Sequence, residues 1–178
     1  MELASVFHKK PCIVSKRLVL RPLRVSDVSS MSTVLCDESL YIYSSTNTKS
    51  IETYPKLQFE SEVNSLKKFH WGIQFEEKVV GELWLHLDED NHSAKLAYRV
   101  APLYQRKGIA TESIRAVVSA CFASSELKRI WADVFTCNVA SIRVLEKSGF
   151  HQKELVRQIK DNCESSDYYI YEIQNSSN

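Results

Sequence analysis

Neither sign of charge dominates this 178-residue sequence: 23 Lys and Arg stand against 22 Asp and Glu, leaving a formal net charge of +1. No global field therefore draws the chain to nucleic acid or to an anionic membrane. Long apolar runs are also missing. Nothing approaches the length of a bilayer span, and Met1 to Lys10 hold no run of signal-peptide length, so a soluble cytoplasmic protein is the expectation. Cys-x-x-Cys spacing does not occur, and the five cysteines, at positions 12, 36, 121, 137 and 163, are odd in number. Reduced thiols fit that pattern better than a disulfide framework or a zinc site, and no metal is expected. The P-loop pattern Gly-x-x-x-x-Gly-Lys-Ser/Thr is absent, as is Gly-x-Gly-x-x-Gly, which removes two nucleotide-binding readings. There is no internal repeat, no low-complexity tract and no linker before the final Asn175 to Asn178.

What remains is an ordinary globular composition with 44% hydrophobic residues, enough for one α/β domain with a proper core. Alternation predicts a strand at Leu18 to Pro22, and Ser26 is a plausible N-cap for a helix to about Leu35. The stretch from Cys36 to Lys68 is expected to carry one or two helices. His70 to Phe75 and Val79 to Leu87, joined at Glu76-Glu77-Lys78, read as a hairpin. A strand at Ala94 to Val100 follows, then a helix to about Ser124 whose Ile114, Val117, Val118, Cys121 and Phe122 form a buried face. Next come a strand at Ile130 to Val134 and a helix that Asn138 caps and Gly149 ends. Two strands, Phe150 to Ile159 and Tyr168 to Ile173, close the order.

The most informative junction is the one from the Ala94 to Val100 strand into the long helix. Pro102 lacks an NH and fixes φ, so it closes the strand and keeps Ala101 extended. Beyond it, Gln105-x-x-Gly108-x-Ala110 puts little or no side chain where backbone must approach a ligand, while Arg106 and Lys107 add charge. The first NH groups of a helix lack internal partners and sit at its positive end, so this turn is a candidate anion site. Its plainer reading is a connector that binds nothing.

Gln/Arg-x-x-Gly-x-Gly/Ala after such a strand resembles the acetyl-CoA pyrophosphate loop of the GNAT acyltransferase superfamily. Three further segments resemble its RimJ/RimL-type branch. They are Lys16-Arg17-Leu18-Val19-Leu20-Arg21-Pro22-Leu23 with Asp27, the segment Asn138-Val139-Ala140-Ser141 leading to Lys147-Ser148-Gly149-Phe150, and the closing Asp167-Tyr168-Tyr169-Ile170-Tyr171. The resemblance covers about residues 16 to 173. It implies a single GNAT-type domain over that range, with terminal extensions at 1–15 and 174–178. Its central sheet should be mixed and mostly antiparallel, flanked by helices and splayed between its fourth and fifth strands. The implied activity is acetyl-CoA-dependent N-acetylation of a primary amine by direct attack in a ternary complex. The acceptor would be a protein N-terminus or a small-molecule amine such as a polyamine or aminoglycoside. A fold-retaining module that holds acyl-CoA without turnover is the alternative, and the chain would be a monomer or homodimer.

Residue by residue, the resemblance gives Arg99, Val100 and Ala101 to the pantetheine arm. Gln105, Arg106, Lys107, Gly108, Ile109, Ala110 and Thr111 go to the pyrophosphate. Asn138 is a cofactor contact as well as a cap. The tyrosine that many GNAT enzymes use to protonate the thiolate is replaced here by Leu145, and Ser141 is the candidate acid instead; its plainer reading is a serine in a first helical turn. The branch's strand glutamate is replaced by Lys95. That leaves Glu82 and His86, which share a strand face with Trp84 opposite Leu83, Leu85 and Leu87, as candidate bases. Asp133 is a weaker one, and Tyr98 is expected to line the site. Aromatic and acidic residues of the variable stretch, Asp37, Glu38, Tyr41, Tyr43 and Tyr54, point faintly to a cationic substrate. Trp71, Trp84 and Trp131 read as core, and Cys137 as a small buried apolar side chain.

Overall fold

Eight strands form one sheet in the order β1-β2-β3-β4-β5-β6-β8-β7 in the computed structural model, which describes residues 11–24, 27, 68–157 and 167–176. The strands are β1 (Ile13–Val14), β2 (Leu18–Pro22), β3 (Lys68–Phe75), β4 (Lys78–Leu87), β5 (Ser93–Val100), β6 (Arg129–Phe135), β7 (His151–Val156) and β8 (Tyr168–Gln174). Two helices, α1 (Ile109–Ser124) and α2 (Val139–Lys147), complete the described elements with a 3-10 turn at Pro102–Tyr104. Every neighbouring pair is antiparallel except β5 and β6. No described helix is long and apolar enough to cross a membrane. The expected helix from Ser26 and the variable stretch, with Asp37, Glu38, Tyr41, Tyr43 and Tyr54, lie outside the described residues.

Period-two alternation divides the sheet into two chemically different faces. Leu18, Leu20, Leu83, Leu85, Leu96 and Ile130 point to one side and are almost fully buried. Both described helices cover that side, α1 through Ile114, Val117, Val118 and Cys121, α2 through Leu145. Each fully buried aliphatic side chain contributes about 1.5–3 kcal/mol from apolar area removed from water. Burial in this apolar layer pushes the Cys121 thiol well above its ordinary range, so it packs as a small hydrophobe. The opposite face carries Arg21, His70, Glu82, Arg99 and Lys95.

One residue sets which side chains of β3 and β4 share that polar face. The hairpin closes through Glu76 and Glu77, with Glu76 at φ 56°, and Phe75 pairs with Lys78. The register then shifts: Gln74 still faces Val79, but Ile73 faces Gly81, leaving Val80 as an extra residue in β4. After the bulge Gly72 opposes Glu82 and His70 opposes Trp84. At Gly81, just beyond it, β4 lies close against β5, since a Cβ there would lie 2.3 Å from the Arg99 carbonyl oxygen.

Candidate active site

β5 and β6 pair only where Ser93–Lys95 faces Arg129–Trp131. Beyond that, each strand is held by its outer neighbour alone. β5 follows β4 as far as Val100 opposite Gly81, while β6 follows β8 as far as Phe135 opposite Tyr168. The two diverge because neither outer pairing lets go. Along Leu96 to Val100 the inner edge of β5 has no strand partner among the described residues, and unpaired peptide groups there suit an extended, amide-bearing ligand.

At the end of that open edge lies the basic turn. The Gln105 amide donates to the Val100 carbonyl at 2.9 Å, folding the connector back onto the strand. Arg106 at φ 60° and Gly108 at φ 78° both take left-handed conformations, a backbone alternation that turns successive NH groups inward. Gly108 is the N-cap of α1 and supplies no capping side chain, so the NH groups of Ile109, Ala110 and Thr111 are left for a ligand. Arg17, just before β2, braces the turn: its guanidinium donates to the Lys107 carbonyl at 3.1 Å and to Glu112 at 2.7 Å. Burial alone would raise the Glu112 carboxyl, but hydrogen bonds from the Ser15 hydroxyl and from Arg17 outweigh it and hold it below the usual range. Lys107 lies over the Tyr104 ring, 5.2 Å from its centroid. The residues expected to hold a diphosphate are thus brought together.

On the helical face, the Asn138 side-chain carbonyl accepts the Ser141 NH at 3.1 Å, so this residue does cap α2. Ser141 Oγ lies 2.8 Å from the Tyr98 hydroxyl, which reaches it from the unpartnered half of β5. Burial pushes the Tyr98 phenol up to about 12, against a smaller lowering by Ser141. Leu145 is 1% exposed and belongs to the core. Cys137 does not: it is exposed in the turn between β6 and α2, where Val139 donates to its carbonyl, so the expectation of a buried apolar cysteine is corrected. The tight connection places this residue on the outside of the turn.

The two candidate bases end up in different settings. Glu82, 1% exposed, has Oε2 2.9 Å from His70 Nε2, and Arg99 Nη1 lies 3.6 Å from Oε1. The Trp84 ring packs against both neighbours, edge-on to His70 and under the Arg99 guanidinium. His86 is exposed further along β4, opposite Lys68 on one side and Lys95 on the other. Lys95 itself pairs with Asp133 at 2.8 Å across the start of the gap and lies over Trp131. Only Trp71 of the three tryptophans is fully buried; Trp84 and Trp131 are partly exposed as platforms for cations, which departs from the expectation of core residues. Sequence reasoning missed His70. Its strand was legible, but the Val80 bulge that turns it toward Glu82 has no signature in the residues.

Ser141 and Glu82 lie on opposite faces of the sheet, with the open edge of β5 between them. The sheet around the gap thus carries a buried carboxylate on one face and a hydroxyl on the other. The family model described as an acetyltransferase (GNAT) domain matches residues 17–151. The chain is similar to the uncharacterized N-acetyltransferase YoaA of Bacillus subtilis (strain 168), 31% identical over 170 residues that span 92% of this chain and 96% of the relative. Among solved structures it resembles RimL, the ribosomal L7/L12 alpha-N-protein acetyltransferase solved with coenzyme A, with TM-score 0.81 and 18% identity over 94% of this chain and 100% of that one. It also resembles spermidine N-acetyltransferase from Vibrio cholerae, solved with CoA and spermine, with TM-score 0.78 and 19% identity over 91% and 98% of the two chains.

Proposed function

Because the chain belongs to the GNAT acetyltransferase family, we propose that it is an N-acetyltransferase of the RimJ/RimL type that transfers acetyl from acetyl-CoA to a primary amine in a ternary complex. The observation that carries this reading is the continuity between the unpartnered inner edge of β5 and the uncapped first turn of α1. Acetyl-CoA supplies an acetyl group already activated as a thioester. The residues fit it: Arg99 to Ala101 offer backbone to the amide-bearing arm, and the Gln105 to Thr111 turn offers NH groups and two cations to the diphosphate. Asn138 stands at the other wall of the gap.

The acceptor must shed a proton before it attacks, since free amines titrate at about 8 (α-amino) or about 10.4 (lysine). Glu82 is the acceptor for that proton, directly or through a water, with His70 fixing one of its oxygens. NH groups of β5 near Val100 stabilise negative charge on the reacting carbonyl oxygen. Ser141 hydrogen-bonds the departing sulfur from the opposite face.

Two measurements test the proposal. Acetyl-CoA at 100 times its Kd should stabilise the fold by about 2.7 kcal/mol, read as a rise in Tm; an unchanged Tm overturns the cofactor assignment. A thiol-release assay against polyamines, aminoglycosides and N-terminal peptides should give turnover with one class and so name the acceptor. Binding without release from any amine would favour a module that holds acyl-CoA without turnover.

A further inference from the structure

The hydrogen bond between Tyr98 and Ser141 ties β5 to the first turn of α2. Tyr98 stands on the half of β5 that has lost β6, and Ser141 in the first turn of α2, where the Asn138 cap holds its backbone. Neither hydroxyl has another hydrogen-bond partner among the described residues. One bond between two hydroxyls consumes one hydrogen and leaves one. If Ser141 donated, the buried phenol would be left with an O–H and no acceptor, a costly arrangement. With Tyr98 donating, both requirements are met and the serine hydrogen is the one left to turn toward the gap. The raised phenol pKa keeps that donor protonated throughout the neutral range.

We propose that Tyr98 is a positioning residue: it donates to Ser141 Oγ, fixes the serine rotamer, and strengthens the Ser141 O–H as a donor to the departing sulfur through hydrogen-bond cooperativity. This rests on the reading of Ser141 given above. In the transfer, the amine nitrogen bonds to the acetyl carbon, the carbon–sulfur bond breaks, and its electron pair goes to sulfur, which Ser141 O–H then hydrogen-bonds. Glu82 already holds the proton that the ammonium gave up before attack, the second proton shed by nitrogen as the amide forms passes through water to the thiolate to give the CoA thiol, and the phenol proton stays on Tyr98. Tyr98 is thus no proton source.

Tyr98→Phe keeps the ring and removes the donor. It should lower kcat about tenfold, the rate equivalent of one hydrogen bond, with KM for acetyl-CoA unchanged. A binding readout separates this from a merely structural role: the affinity for CoA relative to desulfo-CoA, taken by calorimetry at a pH where the thiol is ionised. Tyr98→Phe and Ser141→Ala should each lower that ratio, and the double variant should be no worse than Ser141→Ala alone. Wild-type kcat and ratio in Tyr98→Phe, or losses that multiply in the double variant, would overturn the proposal. If Ser141→Ala itself changed neither quantity, the reading of Ser141 would fail first. Should Tyr98→Phe not fold, 3,5-difluorotyrosine at position 98 keeps the bond but ionises earlier. The CoA-to-desulfo-CoA ratio should then decline from a lower pH than in the wild type, and an unmoved profile would equally overturn it.

Discussion

Glu82 has one oxygen engaged and one not. Oε2 meets His70, whereas Oε1 has no hydrogen bond among the described residues, with Arg99 standing 3.6 Å off. A buried carboxylate oxygen without a donor is costly unless something else comes to it, and an incoming amine or its bridging water is the partner that the proposed chemistry supplies. Glu82→Gln keeps the volume and removes the acceptor. It should lower kcat on the order of 10²-fold with acetyl-CoA affinity unchanged, as steady-state kinetics and calorimetry would measure; an undiminished kcat would remove Glu82 as base. At this scale the sequence was partly legible. Glu82 stood out by alternation and Ser141 by its motif, but Tyr98 was expected only to line the site, because a contact across 43 residues is a product of tertiary packing.

The turn proposed to hold the diphosphate depends on Gly108 at φ 78°. Gly108→Ala meets no backbone clash, its Cβ lying 3.4 Å from the end of Arg17, so its cost is conformational. A left-handed alanine costs about 1–2 kcal/mol, and the first turn of α1 should relax away from the gap. The expected result is about tenfold weaker acetyl-CoA binding by calorimetry, with a Tm fall of a few degrees. The strand–proline–glycine–helix order was legible because each signal is local. The gap itself was not: it arises from β4 and β8 pulling β5 and β6 apart, a relation between distant strands, and was expected only through family resemblance. The two-residue strand β1 was missed as well, being too short to show any alternation.

Over the whole molecule, the polar face is tied by charge where the other is held by burial. Arg21 meets Asp27 through two bonds of 2.8 Å, and Asp27 also accepts the Arg24 NH. The Arg21 hydrogen bonds hold the Asp27 carboxyl below its usual range against the opposing effect of burial. A carboxyl whose pKa is lower folded than unfolded stabilises the protein above the unfolded value of about 3.9 and loses that contribution as pH falls through the folded one. Asp27→Asn should therefore lose on the order of 1–3 kcal/mol at pH 7, and its urea midpoint should converge on the wild type in strong acid. A constant gap at all pH values would show that this pair is not ionic. The order of strands and helices along the chain followed from hydrophobic period and turn residues, and the mixed, mostly antiparallel sheet from the family resemblance. Which polar residues would meet did not, because pairing of opposite charges leaves no periodic trace.

Val80, the unpaired residue of β4, makes the hairpin's tolerance of length changes one-sided. Removing it would close the bulge and leave Glu82 opposite Gly72, whereas one residue added beside it would exchange inward for outward along Glu82 to His86 and set Leu83 and Leu85 in the place of the carboxylate. Substitutions here cost what their side chains are worth, whereas a one-residue insertion would invert an entire strand, and chains that share this hairpin should lose a residue at this point far more readily than they gain one.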